Sequence, residues 1–242
     1  MRGERHPDGV VRVRAPNPSP LTLEGTNTYV LDGWVVDPGP AVPSHLEAVR
    51  RAAGAPVEGI ALTHGHPDHA GGAEELARRT GAPVLRPGAE ERVGPFRVVP
   101  TPGHSPDSVC LIAGRRCFTG DTVLGEGSVF ISPGEGSLSA YIDSLRRLRE
   151  LDPEVLCPGH GPYVWEPRAK LDEYIEHRLD RERRLLEALG AGLRSEQELL
   201  ESAWSDVPPD MRPAAALTLR AHLEKLREEG RLPPGIDPDR LS

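Results

Sequence analysis

The amino-acid sequence predicts an α/β (α+β) fold followed by a helical C-terminal part. Short apolar runs typical of buried strands recur up to about residue 160, and amphipathic helical segments separate them. Beyond residue 167 the strand-like runs stop and charged amphipathic helices follow. We therefore expect one large domain over residues 1–167 and a smaller helical domain over residues 168–242.

The first predicted elements are a β-hairpin and a helix. Two strand-like segments lie on either side of Asp32-Gly33, a dipeptide that is typical of two-residue hairpin turns. The sequence Ser-His-Leu-Glu at 44–47 matches the capping box that begins a helix, and we expect this helix to end at Gly54. His45 would then be a surface residue in the first turn of the helix.

The segment 63–69 contains three histidines and an aspartate directly after a short apolar run. His64 and His66 are two residues apart, so their side chains lie on one face of an extended segment. Asp68 and His69 are adjacent and must point in different directions, so one ion is poorly placed to bind all four side chains. Imidazoles and carboxylates are ligands that suit zinc, manganese or iron, and the segment therefore predicts a metal site.

Three further candidate ligands occur in the same kind of position. His104, Asp121 and His160 each follow a short hydrophobic run and a glycine, which lets the backbone turn sharply at the end of a strand. Helices are predicted over 73–79 and 140–150, and a glycine-rich loop precedes the second of them. This loop is either a substrate cover or a surface connection. We expect the strand ends to converge on the first histidine cluster.

The order His-x-His-x-Asp-His, then His, then Asp, then Gly-His resembles the metallo-β-lactamase superfamily over about the first two-thirds of the chain. The resemblance implies a four-layer αββα sandwich and a dinuclear hydrolase whose nucleophile is a hydroxide that bridges two metal ions. It also implies three ligands for each ion and one bridging residue: His64, His66 and His104; Asp68, His69 and His160; and Asp121. Asp68 and Asp121 would be the catalytic residues, since Asp68 would orient the hydroxide and Asp121 would set the separation of the ions. The antibiotic-degrading members commonly carry a cysteine in place of Asp121, which argues against a true β-lactamase.

The opening segment 17–29 and the C-terminal part resemble the β-lactamase-like protein two branch of this superfamily. Helices are predicted over 168–189, from Ser195 with a second capping box, and over 213–229, and the segment 228–233 is typical of a turn or small wing. The resemblance implies a small winged-helix-like domain. Some members of that branch are endoribonucleases that act on single-stranded RNA.

The charge of the chain argues against tight binding of duplex DNA. The formal net charge is −8, and residues 168–242 contain 13 Arg and Lys against 16 Asp and Glu. Nucleic-acid backbones bind to clustered positive charge, and the C-terminal tail, residues 168–242, lacks such a cluster. We therefore expect the tail to serve in packing or in a homodimer, with His177 and His222 at a helix surface or an interface.

These features predict a hydrolase with two divalent ions, with zinc expected first and manganese or iron as alternatives. Single-stranded RNA is the first expected substrate, and a small-molecule thioester of the glyoxalase II type (hydroxyacylglutathione) is the alternative. Mononuclear-iron sulfur dioxygenases carry similar histidines and remain a further alternative. From another class, the chain could be a winged-helix binding protein with a vestigial hydrolase domain.

The sequence also bears on the cellular location. No apolar run approaches the roughly 20 residues needed to span a bilayer, and the N-terminus lacks the apolar segment of a secretion signal. The three cysteines show no paired spacing and are expected in the core. We therefore expect a cytoplasmic protein with no membrane partner.

Overall fold

The computed structural model describes residues 5–86, 88 and 91–238. The outer ends of the two predicted domains, 1–4 and 239–242, lie outside the described residues, and with them the start of the N-terminal segment. Within the described part of the chain, no helix combines the length and the apolar character that crossing a membrane requires.

Two β-sheets of five strands each form the centre of the molecule. The first sheet has the order β1-β2-β3-β4-β5, with β1 (Val11–Arg14), β2 (Asn27–Leu31), β3 (Trp34–Val36), β4 (Gly59–Ala61) and β5 (Val84–Leu85). The second has the order β10-β9-β8-β7-β6, with β6 (Arg92–Val93), β7 (Phe96–Pro100), β8 (Val109–Ala113), β9 (Arg116–Gly120) and β10 (Val155–Pro158). In both sheets antiparallel hairpin pairs join a parallel part, which β3, β4 and β5 form in the first sheet and β9 and β10 in the second.

The described residues also form seven α-helices. They are α1 (Pro43–Ala53), α2 (Pro67–Ala70), α3 (Ala73–Thr80), α4 (Leu138–Glu150), α5 (Pro167–Gly190), α6 (Glu196–Ala203) and α7 (Arg212–Glu228). Tyr29, Phe96 and Phe118 belong to the apolar core between the sheets. The helices α1 and α3 pack on the first sheet, and α4 with the first half of α5 packs on the second. This arrangement confirms the four-layer αββα sandwich.

The local sequence signals predicted most of these elements. The turn at Asp32-Gly33 joins β2 to β3, and both turn residues have positive φ angles, of 49° and 78°. Gly81 ends α3 in the left-handed conformation. Ser195 and Glu198 form the predicted capping box of α6, with both reciprocal hydrogen bonds present.

The prediction for the start of α1 was wrong. The helix begins at Pro43, whose fixed φ suits the first helical position, and Val42 precedes it without a side-chain cap. His45 is not a surface residue, because its side chain turns toward the first sheet and only 3% of the residue is exposed. Its Nε2 lies 3.0 Å from the Thr28 hydroxyl, which satisfies that ring nitrogen.

The regular secondary structure of the C-terminal part is helical among its described residues. The second half of α5 packs with α6 and α7 around Leu189, Leu199, Trp204 and Leu223. The segment 228–233 forms a turn after α7, without the strands of a wing. Because α5 contributes to this cluster and to the core below the second sheet, the division of the chain at residue 167 stays a prediction.

The two histidines of this region differ in their burial. His177 is exposed on α5, as predicted. His222 is fully buried in α7, so the prediction of a surface or interface position was wrong for it. The reason is tertiary: α7 is covered by α5 and α6, and His222 faces Trp204 of the turn after α6 with 5.7 Å between ring centroids.

Candidate metal centre

The seven side chains predicted as metal ligands lie together at one edge of the two sheets. They form two groups in which the candidate ligand atoms lie within 4.8 Å of one another: His64, His66, His104 and Asp121; and Asp68, His69 and His160. Each residue follows a strand or belongs to the short helix after β4, so the ends of several strands bring these side chains to one place.

Two glycines allow the groups to approach so closely. Gly120 has a φ of 48°, and a Cβ atom there would lie 2.3 Å from the Thr63 hydroxyl oxygen. A Cβ atom at Gly159 would lie 2.4 Å from the His69 ring and 2.7 Å from Asp121 Oδ1. The glycine before each ligand therefore provides space as well as a turn.

The Asp121 carboxylate lies between the two groups. Its Oδ1 is 3.2 Å from His69 Nε2 and 3.4 Å from His160 Nε2, and its Oδ2 is 3.6 Å from His104 Nε2. Asp68 Oδ2 is 3.2 Å from His160 Nε2 and 3.4 Å from His69 Nε2. One carboxylate thus contacts both groups and the other contacts only the second.

Hydrogen bonds outside the pocket orient the imidazole rings. His69 Nδ1 donates to Asp37 Oδ2 over 2.9 Å, and His104 Nδ1 donates to the Phe130 carbonyl over 3.0 Å. The Thr63 hydroxyl donates to Asp37 over 2.6 Å and accepts from His64 Nδ1 over 3.1 Å. In each of these three histidines the Nε2 lone pair therefore points into the pocket, as a metal ligand requires.

The pocket also contains polar atoms that the protein leaves without partners. His64 Nε2 is buried and makes no hydrogen bond with other described atoms. Ring nitrogens face each other, with His66 Nδ1 3.0 Å from His104 Nε2 and His69 Nε2 3.3 Å from His160 Nε2. Burying such atoms unpaired is costly, and a cation between them removes the cost, so this donor set fits divalent metal ions.

Asp37 is the functional residue that sequence reasoning missed. It follows β3 with a φ of 50°, and its buried carboxylate accepts hydrogen bonds from the Thr63 backbone, the Thr63 hydroxyl and His69. The sequence carried one signal for it, because Asp37 ends an apolar strand and precedes Pro38-Gly39. Asp37 shares a strand-end position with the candidate ligands, although no glycine precedes it.

The electrostatics of the pocket couple its carboxylates to its histidines. Burial opposes ionisation of Asp68, but the hydrogen bond to His160 and the charge of His69 outweigh it and lower the pKa of Asp68 to about 2. Burial also opposes the charged form of His160, yet its hydrogen bonds to Asp121 and Asp68 raise its pKa to about 9. Because a metal ion binds neutral imidazole, binding would release protons from this network.

Comparison with known proteins agrees with this geometry. The chain matches the Metallo-beta-lactamase superfamily over residues 21–96 and 87–160, and the Beta-lactamase associated winged helix domain over residues 195–232. The chain belongs to the metallo-β-lactamase superfamily. It is a hydrolase of that superfamily, with His/Asp groups that suit divalent metal ions.

Curated relatives match the chain over most of its length. The Beta-lactamase-like protein 2 homologues of Drosophila melanogaster and Caenorhabditis elegans are 32% and 31% identical, over 92% and 94% of this chain and 89% and 87% of theirs. The Atrochrysone carboxyl ACP thioesterase of Aspergillus chevalieri is 30% identical over 84% of this chain and 75% of its own. The resemblance to the β-lactamase-like protein 2 branch is confirmed.

Solved structures show the same metallo-β-lactamase fold. A metallo-beta-lactamase family protein from Thermus thermophilus superposes with a TM-score of 0.73 at 25% identity, covering 95% of this chain and 97% of the other. TTHA1623, solved in a di-iron-bound form, has a TM-score of 0.55 at 28% identity and covers 69% of this chain and 97% of its own.

Beside the candidate ligands lies a cavity of about 320 Å³. The candidate ligands His66, Asp68, His104, Asp121 and His160 reach it. Its other described walls are mostly apolar or uncharged: Ser19, Leu21, Thr22, Leu124, Val129, Phe130, Ser132 and Glu135. The candidate metal centre is thus accessible from a cavity whose other walls are mostly apolar or uncharged.

The glycine-rich loop before α4 forms one wall of this cavity through Val129, Phe130 and Ser132. Helix α5 fixes the loop, because the Tyr174 hydroxyl donates to the Gly127 carbonyl over 2.8 Å and Arg178 donates to the Val129 carbonyl. The Phe130 carbonyl also orients His104. The loop therefore connects the C-terminal helices to the candidate metal centre.

Proposed function

We propose that this protein hydrolyses acyl thioesters at a centre of two divalent metal ions. The observation that carries the proposal is the apolar wall of the cavity beside the seven side chains, which suits an acyl group. Neither lysine nor arginine occurs among the described residues that line this cavity, whereas phosphate backbones bind through such cations. Relatives named as thioesterases, at 30% identity, support the same substrate class.

We assign the seven side chains as ligands, three to each ion with one residue between them: His64, His66 and His104; Asp68, His69 and His160; and Asp121. Zinc is the metal that we propose first, because imidazole and carboxylate ligands suit it. Manganese and iron are the alternatives, and the di-iron form of TTHA1623 supports iron.

Two divalent ions bound there would supply Lewis acidity toward the thioester carbonyl and lower the pKa of a coordinated water towards neutrality. The residues of the chain do the rest. Asp37 holds His69 in its ligand orientation, and the Phe130 carbonyl holds His104. Asp121 fixes the spacing of the two groups. Asp68 faces the cavity with 29% of its side chain exposed, where it can accept a proton from the attacking water.

Single-stranded RNA is the second candidate substrate. The similarity of more than nine-tenths of the chain to Beta-lactamase-like protein 2 homologues favours it, since the sequence resemblance to that branch implied RNA cleavage. The cavity favours RNA less than a thioester. Besides the candidate ligands, the charged residue among its described lining residues is Glu135, whose negative charge repels phosphate groups. The experiment must therefore compare both substrates directly.

The test is a parallel assay on natively loaded protein whose metals have been determined by elemental analysis. The substrates are a neutral acyl thioester of N-acetylcysteamine, a hydroxyacyl-glutathione thioester and a single-stranded RNA oligonucleotide, with His66→Ala as the blank. We expect two metal ions per chain and thioester hydrolysis that the variant loses. Cleavage of RNA alone would overturn the thioester proposal, one iron per chain would favour a sulfur dioxygenase, and no turnover would favour a vestigial domain.

A further inference from the structure

A second cavity, of about 360 Å³, adjoins the cavity at the candidate metal centre. Leu21, Leu124 and Phe130 line both cavities, so the two chambers share one wall. The far side of the second cavity is built by the C-terminal helices, through residues such as Trp204 and Met211. The C-terminal helices therefore build a cavity directly beside the one at the candidate metal centre, with Leu21, Leu124 and Phe130 between the two.

The second cavity is apolar where it faces the segment 204–215, whereas α5 contributes His177, Arg178 and Arg181 to its lining. Its described apolar lining residues are Pro20, Leu21, Leu23, Leu124, Phe130, Trp204, Val207, Met211, Ala214 and Ala215. Leu21 and Met211 are 63% and 41% exposed, although large apolar side chains gain free energy when a ligand covers them. The second cavity thus offers the apolar part of a ligand a surface that the protein itself does not cover.

The arginines of this cavity are engaged elsewhere. Arg178 donates to Ser128 Oγ over 3.2 Å and to the Val129 carbonyl. Arg181 donates to the Ala203 carbonyl over 2.7 Å and forms a two-pronged ion pair with Asp206. These guanidinium groups therefore hold the loop and the helices, and they are poorly placed to bind a phosphate group in the second cavity.

We infer that the second cavity receives the extended apolar acyl chain of a thioester whose carbonyl lies at the metal centre. The inference rests on the proposed function and names its substrate class. The wall that the chambers share places the reacting carbonyl at the candidate ligands and the acyl chain along Leu21, Leu124 and Phe130 toward Met211 and Trp204. The C-terminal helices then determine chain-length specificity.

Chain length and one surface substitution test this inference on the full-length, metal-loaded protein. The substrates are acetyl, hexanoyl and decanoyl thioesters of N-acetylcysteamine. The variant is Met211→Glu, and the matched control is Leu217→Glu, because Leu217 is also 41% exposed but lines neither cavity. Binding of acetate, hexanoate and decanoate is measured in parallel by calorimetry, which does not depend on turnover.

We expect the kcat/KM of the wild-type protein to rise roughly threefold for each methylene group that enters the cavity. Met211→Glu should lower the ratio of decanoyl to acetyl kcat/KM at least tenfold, and weaken decanoate binding to a similar degree, because it places a charge in the apolar part of the second cavity. Leu217→Glu should leave the ratio within twofold of the wild type.

The two readouts separate this inference from the proposed function. Acetyl thioester turnover with no dependence on chain length, or equal effects of the two glutamates, would overturn the acyl-chain cavity and leave the proposed function standing. Binding that strengthens with chain length and is lost in Met211→Glu, without any thioester turnover, would support the cavity and overturn the proposed function.

Discussion

The candidate metal centre and the C-terminal helical cluster both contain a buried histidine with unpaired ring nitrogens. Among the residues that the structure describes, His64 Nε2 at the centre finds no hydrogen-bond partner, and in the cluster neither nitrogen of His222 does. The difference lies in their surroundings. The candidate ligand atom of His64 lies within 4.8 Å of those of His66, His104 and Asp121. His222 instead faces the Trp204 ring.

The charged neighbours that shift the pKa of His64 also differ from those that shift the pKa of His222. Burial lowers the pKa of both side chains, to about 3 for His64. Around His64, the charges of His69 and His104 act with burial, whereas those of Asp121 and Asp37 oppose it. Around His222, the main charged neighbours all act with burial, and they are Arg178, Lys225, His177 and Arg181. An unpaired buried nitrogen therefore indicates a cation site only where carboxylates converge on it.

The largest expected effect comes from removing a carboxylate of the candidate metal centre. Asp121→Ala removes the carboxylate that contacts both groups, so the protein should lose at least one metal ion per chain and about a thousandfold in kcat/KM. Elemental analysis and the thioester assay measure both quantities. The control is Asp143→Ala, which removes an exposed aspartate of α4. An Asp121→Ala protein that kept both ions and its rate would refute the ligand assignment.

The next effect tests the hydrogen bonds by which Asp37 orients the candidate ligand His69. Asp37→Asn keeps the shape of the side chain but loses the anionic acceptor of His69 and Thr63, so metal affinity should fall about 10- to 100-fold. Competition against a chelator measures it. Asp32→Asn is a matched control, because Asp32 has a φ of 49° beside 50° at Asp37 and lies in the β2–β3 turn. Equal affinities of the two variants would remove Asp37 from the centre.

The convergence of the candidate ligands could be predicted because its signal is local. A histidine or aspartate after a strand and a glycine is visible in the sequence, and the sandwich brings the strand ends together. Asp37 also follows a strand, but no glycine precedes it, and its contacts became visible only once β3 and β4 were paired and Thr63 lay beside it. His45 was misplaced because α1 begins at Pro43 and turns that residue toward Thr28.

The second cavity could not be predicted, because its walls come from distant parts of the chain. Leu21, Phe130 and Met211 belong to three segments that show no common pattern in the sequence. An exposed apolar side chain in a loop is ordinary in itself. Only the packing of α5 against the loop, through Arg178 and Tyr174, brings these side chains to one cavity.

A smaller effect tests His222, the buried histidine with cationic neighbours. His222→Leu replaces a fully buried side chain that has two unpaired nitrogens with an apolar one of similar size, so the free energy of unfolding should rise by about 1 to 2 kcal/mol. Urea denaturation at neutral pH measures this change. Metal content should stay unchanged, and the same substitution at His64 should abolish binding at its site. A loss of stability in His222→Leu would show that the histidine makes a contact of its own.

The smallest effect is the pH dependence that His222 adds to stability. Its pKa is lowered in the folded protein by burial and by its cationic neighbours, so below an unfolded pKa near 6.5 the unfolded chain binds one more proton there. The contribution of neutral His222 is therefore complete above that pH and is lost as the pH falls. Each unit below it should cost the wild-type protein about 1.4 kcal/mol that His222→Leu does not lose. Urea denaturation at pH 7.5 and 5.5 isolates this term as the growing difference between the two proteins, since the histidines of the metal centre are common to both. A difference that stayed constant with pH would mean that His222 titrates normally when folded, and that the cluster around it is open to water.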